Sequence, residues 1–368
     1  MDVAKAFDVV SHKKLLHKLS VYGITGKLLN WIESFLTKRS QCVKSYDSSS
    51  LAEVLSGVPQ GSVLGPLLFM LFVNDLPKVV KNSAIKIFAD DTKLYFSAPK
   101  DASFDSLQGD IESVLEWTVQ NQLLVAFQKC NILHIGASNQ RRDYIFDGIN
   151  IPAPDYVKDL GIYVSTDLKF NVHIDKYVSR AHRMCGLIFK SFMCRDADFL
   201  VKMFKMFVRP LLEYCSTVWS PSGIQNIKKL ETVQRRYTKR FPGMSEMPYS
   251  QRLTSLGLVK LEIRRMRLDL AMVYNIVHVQ NCLKFDDFFC FSRNQRGTRS
   301  LSRNSLLLEV PKKGIDARSH AFAVRATKFW NFLSDDEVLS CSIAAFKEKV
   351  KRTDLSALCI VESRWYDI

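Results

Sequence analysis

The sequence predicts an α+β fold, mixed in its first half and helical in its second, and three observations lead there. Around Asp90-Asp91 the apolar residues alternate with period two, as Ile85, Ile87 and Ala89 on one side and Thr92, Leu94 and Phe96 on the other. That pattern describes two paired strands with the acidic pair in the turn. From about residue 172 onward the apolar positions recur at helical spacing, most clearly over 201–212, 224–237 and 261–278. The third observation is length: 368 residues can bury a core and make two or three structural units.

Turn and breaker residues divide the first half. A short strand ends near Asp8, and helices follow over Lys13–Leu19 and Leu28–Leu36, broken at Gly23 and Gly26. Cys42 to Ser56 reads as a hairpin turning through Asp47-Ser48-Ser49-Ser50. A helix runs from about Pro66, which suits a first turn, to Asn74. Helix 103–121, strand 132–136 and a hairpin region from Gly148 to Ile162 complete the mixed unit. Residues 286–304 are polar and basic, the composition of a flexible connection, and a small helical tail follows. No internal repeat or low-complexity tract interrupts the chain.

Charge points to a polyanionic partner. Lys and Arg number 52 against 37 acids, a net +15, and the window from Lys228 to Arg267 alone carries eleven basic and three acidic residues. Such a stretch is either a solvated helix face or a surface that tracks a nucleic-acid backbone and releases its counterions. Membrane insertion and export are not expected. The longest apolar run, Val63 to Val73, contains Gly65 and Pro66 and falls short of the roughly 20 residues of a span. With Asp2 directly after Met1, no signal peptide is expected at this start. The nine cysteines show no Cys-x-x-Cys spacing, so they read as reduced thiols, mostly in the core, with no zinc site. The expected location is intracellular, nuclear or cytoplasmic.

The most chemically pointed stretch is Phe88-Ala89-Asp90-Asp91. Adjacent carboxylates repel each other, and a cation that neutralises them removes the cost; hard, doubly charged Mg²⁺ prefers such oxygens. Taken alone, an acidic pair more often belongs to a solvated turn. Two further blocks bear on the choice. The chain opens Met1-Asp2-Val3-Ala4-Lys5-Ala6-Phe7-Asp8, and Ser56-Gly57-Val58-Pro59-Gln60-Gly61-Ser62-Val63-Leu64-Gly65-Pro66-Leu67-Leu68-Phe69 lies between the two acidic elements.

In this order the three blocks resemble motifs A, B and C of reverse transcriptases, most closely those of non-LTR, LINE-type, jockey-like retrotransposons. Trp117 to Gly136, with Lys129, is similar to motif D, although Phe127 stands where this family often has Asn. Val157 to Ile162 is similar to motif E, the primer grip. The segments Val208–Tyr214, Val233–Thr238 and Lys328–Asn331 resemble the thumb and tail of the same elements, so the likeness covers essentially the whole chain. It implies a polymerase palm over 1–165, a helical basic thumb over 166–285 and a C-terminal helical region over 286–368. It also implies that the chain starts at motif A, without the fingers, which makes low activity the expectation for it.

The resemblance assigns roles residue by residue. Asp2, Asp90 and Asp91 become the catalytic carboxylates holding two Mg²⁺ ions, or Mn²⁺ in their place, about 3.5–4 Å apart. Phe7 becomes the gate that excludes a ribose 2′-hydroxyl, or else an ordinary core ring. Gln60 and Gly61 become substrate contacts, or part of a turn entering a helix. Lys129 becomes the acid for the leaving pyrophosphate, or a surface lysine. Arg235, Arg236, Lys239 and Arg240 become contacts to nucleic acid. Asp8 and Asp75 read as structural. The partners implied are an RNA template, a DNA primer and dNTPs. Three activities remain open at this point: an RNA-directed DNA polymerase, a catalytically impaired remnant that binds nucleic acid, and an RNA polymerase or intron maturase sharing the palm.

Overall fold

The computed structural model describes residues 3, 5–44, 49–97, 105–136, 139–279, 283–292, 304–311 and 320–361. The chain divides into two compact units. One comprises Met1–His134 and Ser138–Asp155, and the other comprises Ile135–Ala137 and Tyr156–Ile368. The fold is mixed α and β, with four separate two-stranded antiparallel ladders and many helices among the described residues. Among the described residues no helix is long and apolar enough to cross a membrane.

In the first unit, α1 (His12–Val21) and α2 (Gly26–Leu36) pack through Leu15, Leu19, Ile32 and Leu36. Helix α1 also packs on α3 (Leu64–Val73), which buries Leu68, Phe69, Phe72 and Val73. Pro66 sits in the first turn of α3, where a missing N–H costs no helical bond. Lys18 of α1 donates to the Phe72 carbonyl at the end of α3 and to Asp75, each at 2.7 Å, so Asp75 is structural as expected. The Lys18 ammonium also lies 4.7 Å from the ring centres of both Phe72 and Trp117.

Three hairpins complete this unit. Strands β1 (Arg39–Gln41) and β2 (Ala52–Val54) pair before and after a long loop whose residues 45–48 are outside the described set. Strands β3 (Ala84–Phe88) and β4 (Asp91–Tyr95) pair in the register Phe88↔Asp91 through Ala84↔Tyr95. Strands β5 (Ile145–Phe146) and β6 (Ile149–Asn150) turn through Asp147 and Gly148, both at positive φ, as a type I′ turn needs. Helix α4 (Asp105–Gln120) buries Asp110, Ile111, Val114, Trp117 and Thr118 along one face.

Two sequence expectations fail here. Residues 132–136 are not a strand: the Ile132 N–H donates to the Pro152 carbonyl, and Pro152 has no N–H to return the bond. Nor is there a strand ending at Asp8. Lys5 takes φ +49° and its carbonyl accepts from the Asp8 and Val9 N–H groups, so the chain turns at this point.

That turn brings Phe7–Val10 onto the glycine-rich block. Gly57 N–H donates to the Val10 carbonyl at 2.8 Å and Val58 N–H donates to the Phe7 carbonyl at 2.7 Å. The Ser56 hydroxyl donates to the Asp8 carbonyl at 2.8 Å, and His12 Nε2 lies 2.7 Å from the Gly57 carbonyl. A Cβ on Gly57 would stand 2.8 Å from the backbone of Phe7 and Asp8, and its φ is +91°. Only glycine allows this approach.

In the second unit, β7 (Tyr156–Asp159) and β8 (Ile162–Ser165) pair through a turn at Leu160 and Gly161. Helix α5 (Asn171–Ser191) packs on α6 (Ala197–Met203), α7 (Arg209–Glu213) and α9 (Ile224–Lys239), with the short α8 (Ser216–Trp219) between the last two. The single helix expected over 201–212 is interrupted by a π-helical turn at Phe204–Val208. Pro210 is the cause: it cannot donate to the carbonyl four residues back and its ring crowds that carbonyl. Helices α10 (Tyr249–Ser255) and α11 (Leu261–His278) follow, and α11 forms a second core with α12 (Phe322–Phe332), α13 (Asp335–Val338) and α14 (Ile343–Arg352).

The flexible connection expected over 286–304 is revised for its described parts. Phe289, Asn304 and Leu308 are buried, and Phe291 bridges to Leu308; residues 293–303 lie outside the described set. The cysteines also depart from expectation. Of the described ones, only Cys130 and Cys185 are buried, while Cys42, Cys194, Cys215, Cys290 and Cys341 are exposed. The exposed group lies in loops and at helix ends, positions that the spacing of the cysteines does not encode.

Two measurements check this packing. Gly57→Ala is expected to cost about 2–5 kcal/mol from the left-handed φ and the backbone clash together, read as a lower Tm in calorimetry. The second concerns Glu231, which is fully buried and accepts from the Tyr249 hydroxyl at 2.6 Å and the Leu261 N–H at 2.9 Å. Burial raises its carboxyl to about 7, the Tyr249 bond and the Arg265 charge only partly opposing it. A raised folded pKa means that the native state holds the proton more tightly. The stabilisation is complete below about 4.5 and is lost as pH rises through about 7. Unfolding titrations at pH 5 and pH 8 should therefore show wild type losing stability relative to Glu231→Gln as pH rises.

Candidate functional site

The β3–β4 hairpin carries the acidic pair, and its two carboxylates have different surroundings. Ala89 and Asp90 form the turn, with Ala89 at φ +54°, and Asp91 is the first residue of β4, opposite Phe88. Asp90 is half-buried and lines a small cavity with Val3, Phe69, Thr92 and Trp117. No described residue hydrogen-bonds or ion-pairs with its carboxylate. Asp91 is half-buried, does not line that cavity and is engaged within the protein.

Asp2 lies outside the described residues, but its neighbour Val3 does not. Val3 forms an antiparallel bridge with Val125 and lines the same cavity as Asp90. Phe69 of α3 connects this cavity to Phe7: the two rings stack with centroids 4.5 Å apart, and Phe7 is half-buried. Motifs A, B and C thus meet around one buried phenylalanine, which the sequence marks only as a core position.

Gln60 is exposed and donates from Nε2 to the Asp8 carboxylate at 2.8 Å, giving Asp8 the structural role expected of it. Gly61 is exposed at φ +78° with open space where a Cβ would stand, so its backbone is accessible to a ligand. Lys129 is exposed in a 3₁₀ turn, Phe127–Lys129, and is not among the residues lining the Asp90 cavity. Phe127, where the family often has Asn, packs edge-on against Phe146 at 5.2 Å.

One positioning residue escaped sequence reasoning. Asp110 is 2 % exposed and accepts from the N–H groups of Lys81, Asn82 and Ser83 and from the Ser83 hydroxyl, at 2.6–3.0 Å. Burial pushes its carboxyl up, but these bonds outweigh it and leave it below the usual carboxylate range. It therefore anchors the segment that leads into β3. The available signal was an acid at position i of an i, i+4, i+7 buried stripe with Val114 and Trp117.

The basic window of the second unit is less exposed than its composition suggests. Arg252 and Arg265 are 3 % and 2 % exposed, Arg264 forks onto Glu213, and Arg267 donates to the Lys351 carbonyl at 2.8 Å. On α9, Arg236 and Lys239 are exposed, Arg235 is half-buried and engaged, and the Arg240 guanidinium lies 3.9 Å from the Phe189 ring centre.

As a cation site, the hairpin has the right chemistry. Asp90 and Asp91 are hard oxygen donors, and Asp90 is half-buried without a partner among the described residues. Those residues contain no cluster of three or more His, Cys, Asp or Glu.

Comparison with known proteins bears on the same segment. Residues 1–165 match the family described as reverse transcriptase (RNA-dependent DNA polymerase). The chain is 28 % identical over 257 residues to the RNA-directed DNA polymerase from mobile element jockey of Drosophila funebris, covering 66 % of this chain and 28 % of that protein. It is 24 % identical over 253 residues to the probable RNA-directed DNA polymerase from transposon X-element of Drosophila melanogaster, covering 66 % and 28 %. It is also 28 % identical over 280 residues to the corresponding protein from transposon BS of the same fly, covering 70 % and 30 %. The chain therefore spans less than a third of the length of these relatives. With motifs A, B and C gathered around Phe69 and the family match running from the first residue to Ser165, this chain carries a reverse transcriptase domain over residues 1–165.

Proposed function

We propose that this chain acts as an RNA-directed DNA polymerase, extending a DNA primer on an RNA template with dNTPs. The observation that carries the reading is the cavity shared by Asp90 and Val3, since it puts the turn of motif C beside the residue that follows Asp2. In this reading the first unit works as the palm, and the helices of the second as a thumb that holds the duplex. Asp2, Asp90 and Asp91 hold divalent cations, Mg²⁺ or Mn²⁺ in its place. Bound there, such ions supply the Lewis acidity that activates the primer 3′-hydroxyl and stabilises the leaving pyrophosphate.

The chain's own groups do the positioning. Phe7, held by its stack on Phe69, presents a ring edge to the sugar and excludes a 2′-hydroxyl. Gln60 and the open backbone at Gly61 contact the incoming nucleotide, with Gln60 steadied by Asp8. Lys129 gives a proton to the leaving group. Arg235, Arg236, Lys239 and Arg240 contact the phosphate backbone of the primer–template.

Primer extension on poly(rA)/oligo(dT) tests the assignment. Asp90→Ala is expected to lower dTTP incorporation by on the order of a hundredfold or more while primer–template binding stays nearly unchanged, because affinity comes from the basic surface. Equal extension by wild type and Asp90→Ala would remove Asp90 from the site. Binding without extension by either protein would favour a remnant that only binds nucleic acid.

Phe7→Val separates the gate from the core. It is expected to raise the ratio of rNTP to dNTP incorporation and, through the lost stack on Phe69, to lower stability by about 1–3 kcal/mol. Lower stability with an unchanged ratio would leave Phe7 a packing residue.

A further inference from the structure

Away from the reverse transcriptase domain, the second unit contains a cavity of about 440 Å³ with an unusual wall. Six cationic side chains line it: Lys205 and Arg209 from the π-helical turn and α7, Arg264 and Arg267 from α11, and Lys347 and Lys351 from α14. Two carboxylates offset them. Glu213 takes the fork of Arg264 and lies 3.8 Å from Arg209, and Glu348 lies 3.7 Å from Lys351. Lys205 and Lys347 have no acidic partner among the described residues.

This surplus of positive charge is partly buried, and the arginines act on one another. Arg209 and Arg267 are both held below the usual arginine range, first by burial and next by the charge of Arg264. Nε of Arg267 is buried with no hydrogen-bond partner. Confining like charges at reduced solvation is costly, and an anion in the cavity relieves that cost.

A second observation concerns Gln234, which is 0 % exposed and lines the same cavity. Its Nε2 donates to the Tyr249 hydroxyl at 2.9 Å and to the Val259 carbonyl at 3.0 Å. The Val259 carbonyl can only accept, which fixes the amide orientation and leaves Oε1 buried without a partner. An unpaired buried acceptor needs a donor. Phosphoryl oxygens satisfy the cations but cannot satisfy Gln234; a hydroxyl can.

We propose that this cavity binds a small phosphorylated polyol, its phosphoryl groups held by Lys205, Arg209, Arg267 and Lys347 and one free hydroxyl donating to Oε1 of Gln234. The volume lies within the roughly 300–1,000 Å³ typical of small-molecule sites and is too confined for a nucleic-acid duplex. The site joins α7, α9, α11 and α14, so its ligand would clamp these helices together.

The test uses the 368-residue chain in EDTA at fixed ionic strength, so that the carboxylates of the first unit hold no cation. Calorimetric titrations would compare inositol 1,4,5-trisphosphate, which has free hydroxyls, with tripolyphosphate, which has none. The expected result is saturable 1:1 binding of the inositol phosphate, about tenfold or more tighter than tripolyphosphate, with a raised Tm. Lys205→Gln with Lys347→Gln should weaken both ligands by about tenfold or more, and Gln234→Leu only the inositol phosphate. Lys78→Gln with Lys81→Gln, a charge-matched change in the first unit, should alter neither.

Absence of saturable binding would overturn the proposal, as would equal weakening by the control pair. Equal affinity for both anions would remove the polyol and the role of Gln234. Binding of a single-stranded oligonucleotide without either small anion would make the cavity a backbone contact instead. The lysine variants lie at the cavity wall and keep the test valid if Gln234→Leu unfolds.

Discussion

The first unit depends on one close approach of backbone to backbone, at Gly57. The glycine-rich block has to lie flat on Phe7–Val10 for the Gly57 and Val58 N–H groups to reach the Val10 and Phe7 carbonyls. Any side chain at position 57 would meet the Phe7 and Asp8 backbone at 2.8 Å. Once the two segments are joined, Phe7 is delivered onto Phe69, and α3 carries Phe69 to the cavity below the acidic hairpin. Hydrogen bonds between main chains, joined by those of Ser56, His12 and Gln60, hold these motifs together. A main-chain brace of this kind leaves the side chains at the surface free to do other work.

The second unit is held differently. Its interior contains charged and polar groups that would be expensive to bury alone, and several are tied to partners from other elements. Asp269 of α11, burial pushing its carboxyl up, meets Arg325 of α12 at 2.8 and 3.1 Å. Glu231 of α9 joins Tyr249 of α10 and the start of α11. Removing one partner from such a pair leaves the other buried and unmatched, which costs more than the pair contributes. These links specify which helices meet. They also account for part of the basic window, because Arg252, Arg264, Arg265 and Arg267 are engaged inside the unit rather than spread over its surface.

Local pattern and specific motif were legible in the sequence; long-range geometry was not. The β3–β4 hairpin followed from alternation, and α1, α3, α4, α9 and α11 followed from helical spacing within a few residues of their observed ends. The strand expected over 132–136 failed because pairing depends on the partner, and the partner position is Pro152. The helix over 201–212 was broken by Pro210, whose effect lies four residues back in the chain. The reverse transcriptase domain was readable from fourteen positions of the glycine-rich block together with two acidic motifs, whose order along the chain is specific to the family. Asp110 was not, since an acid in an amphipathic helix gives no sign of the loop it will cap.

Asp110 has a consequence for how this domain changes over time. It grips the hairpin at its root, through three successive N–H groups before β3, while Asp90 sits at the far end with no described side chain relying on it. The shape of the hairpin and the free carboxylate at its tip therefore rest on different residues. Selection for a well-folded protein alone would preserve Asp110 and be blind to Asp90. On the function proposed above, a lineage could lose the carboxylate and keep an unaltered architecture, so that copies with and without it would melt alike and differ only in what they synthesise.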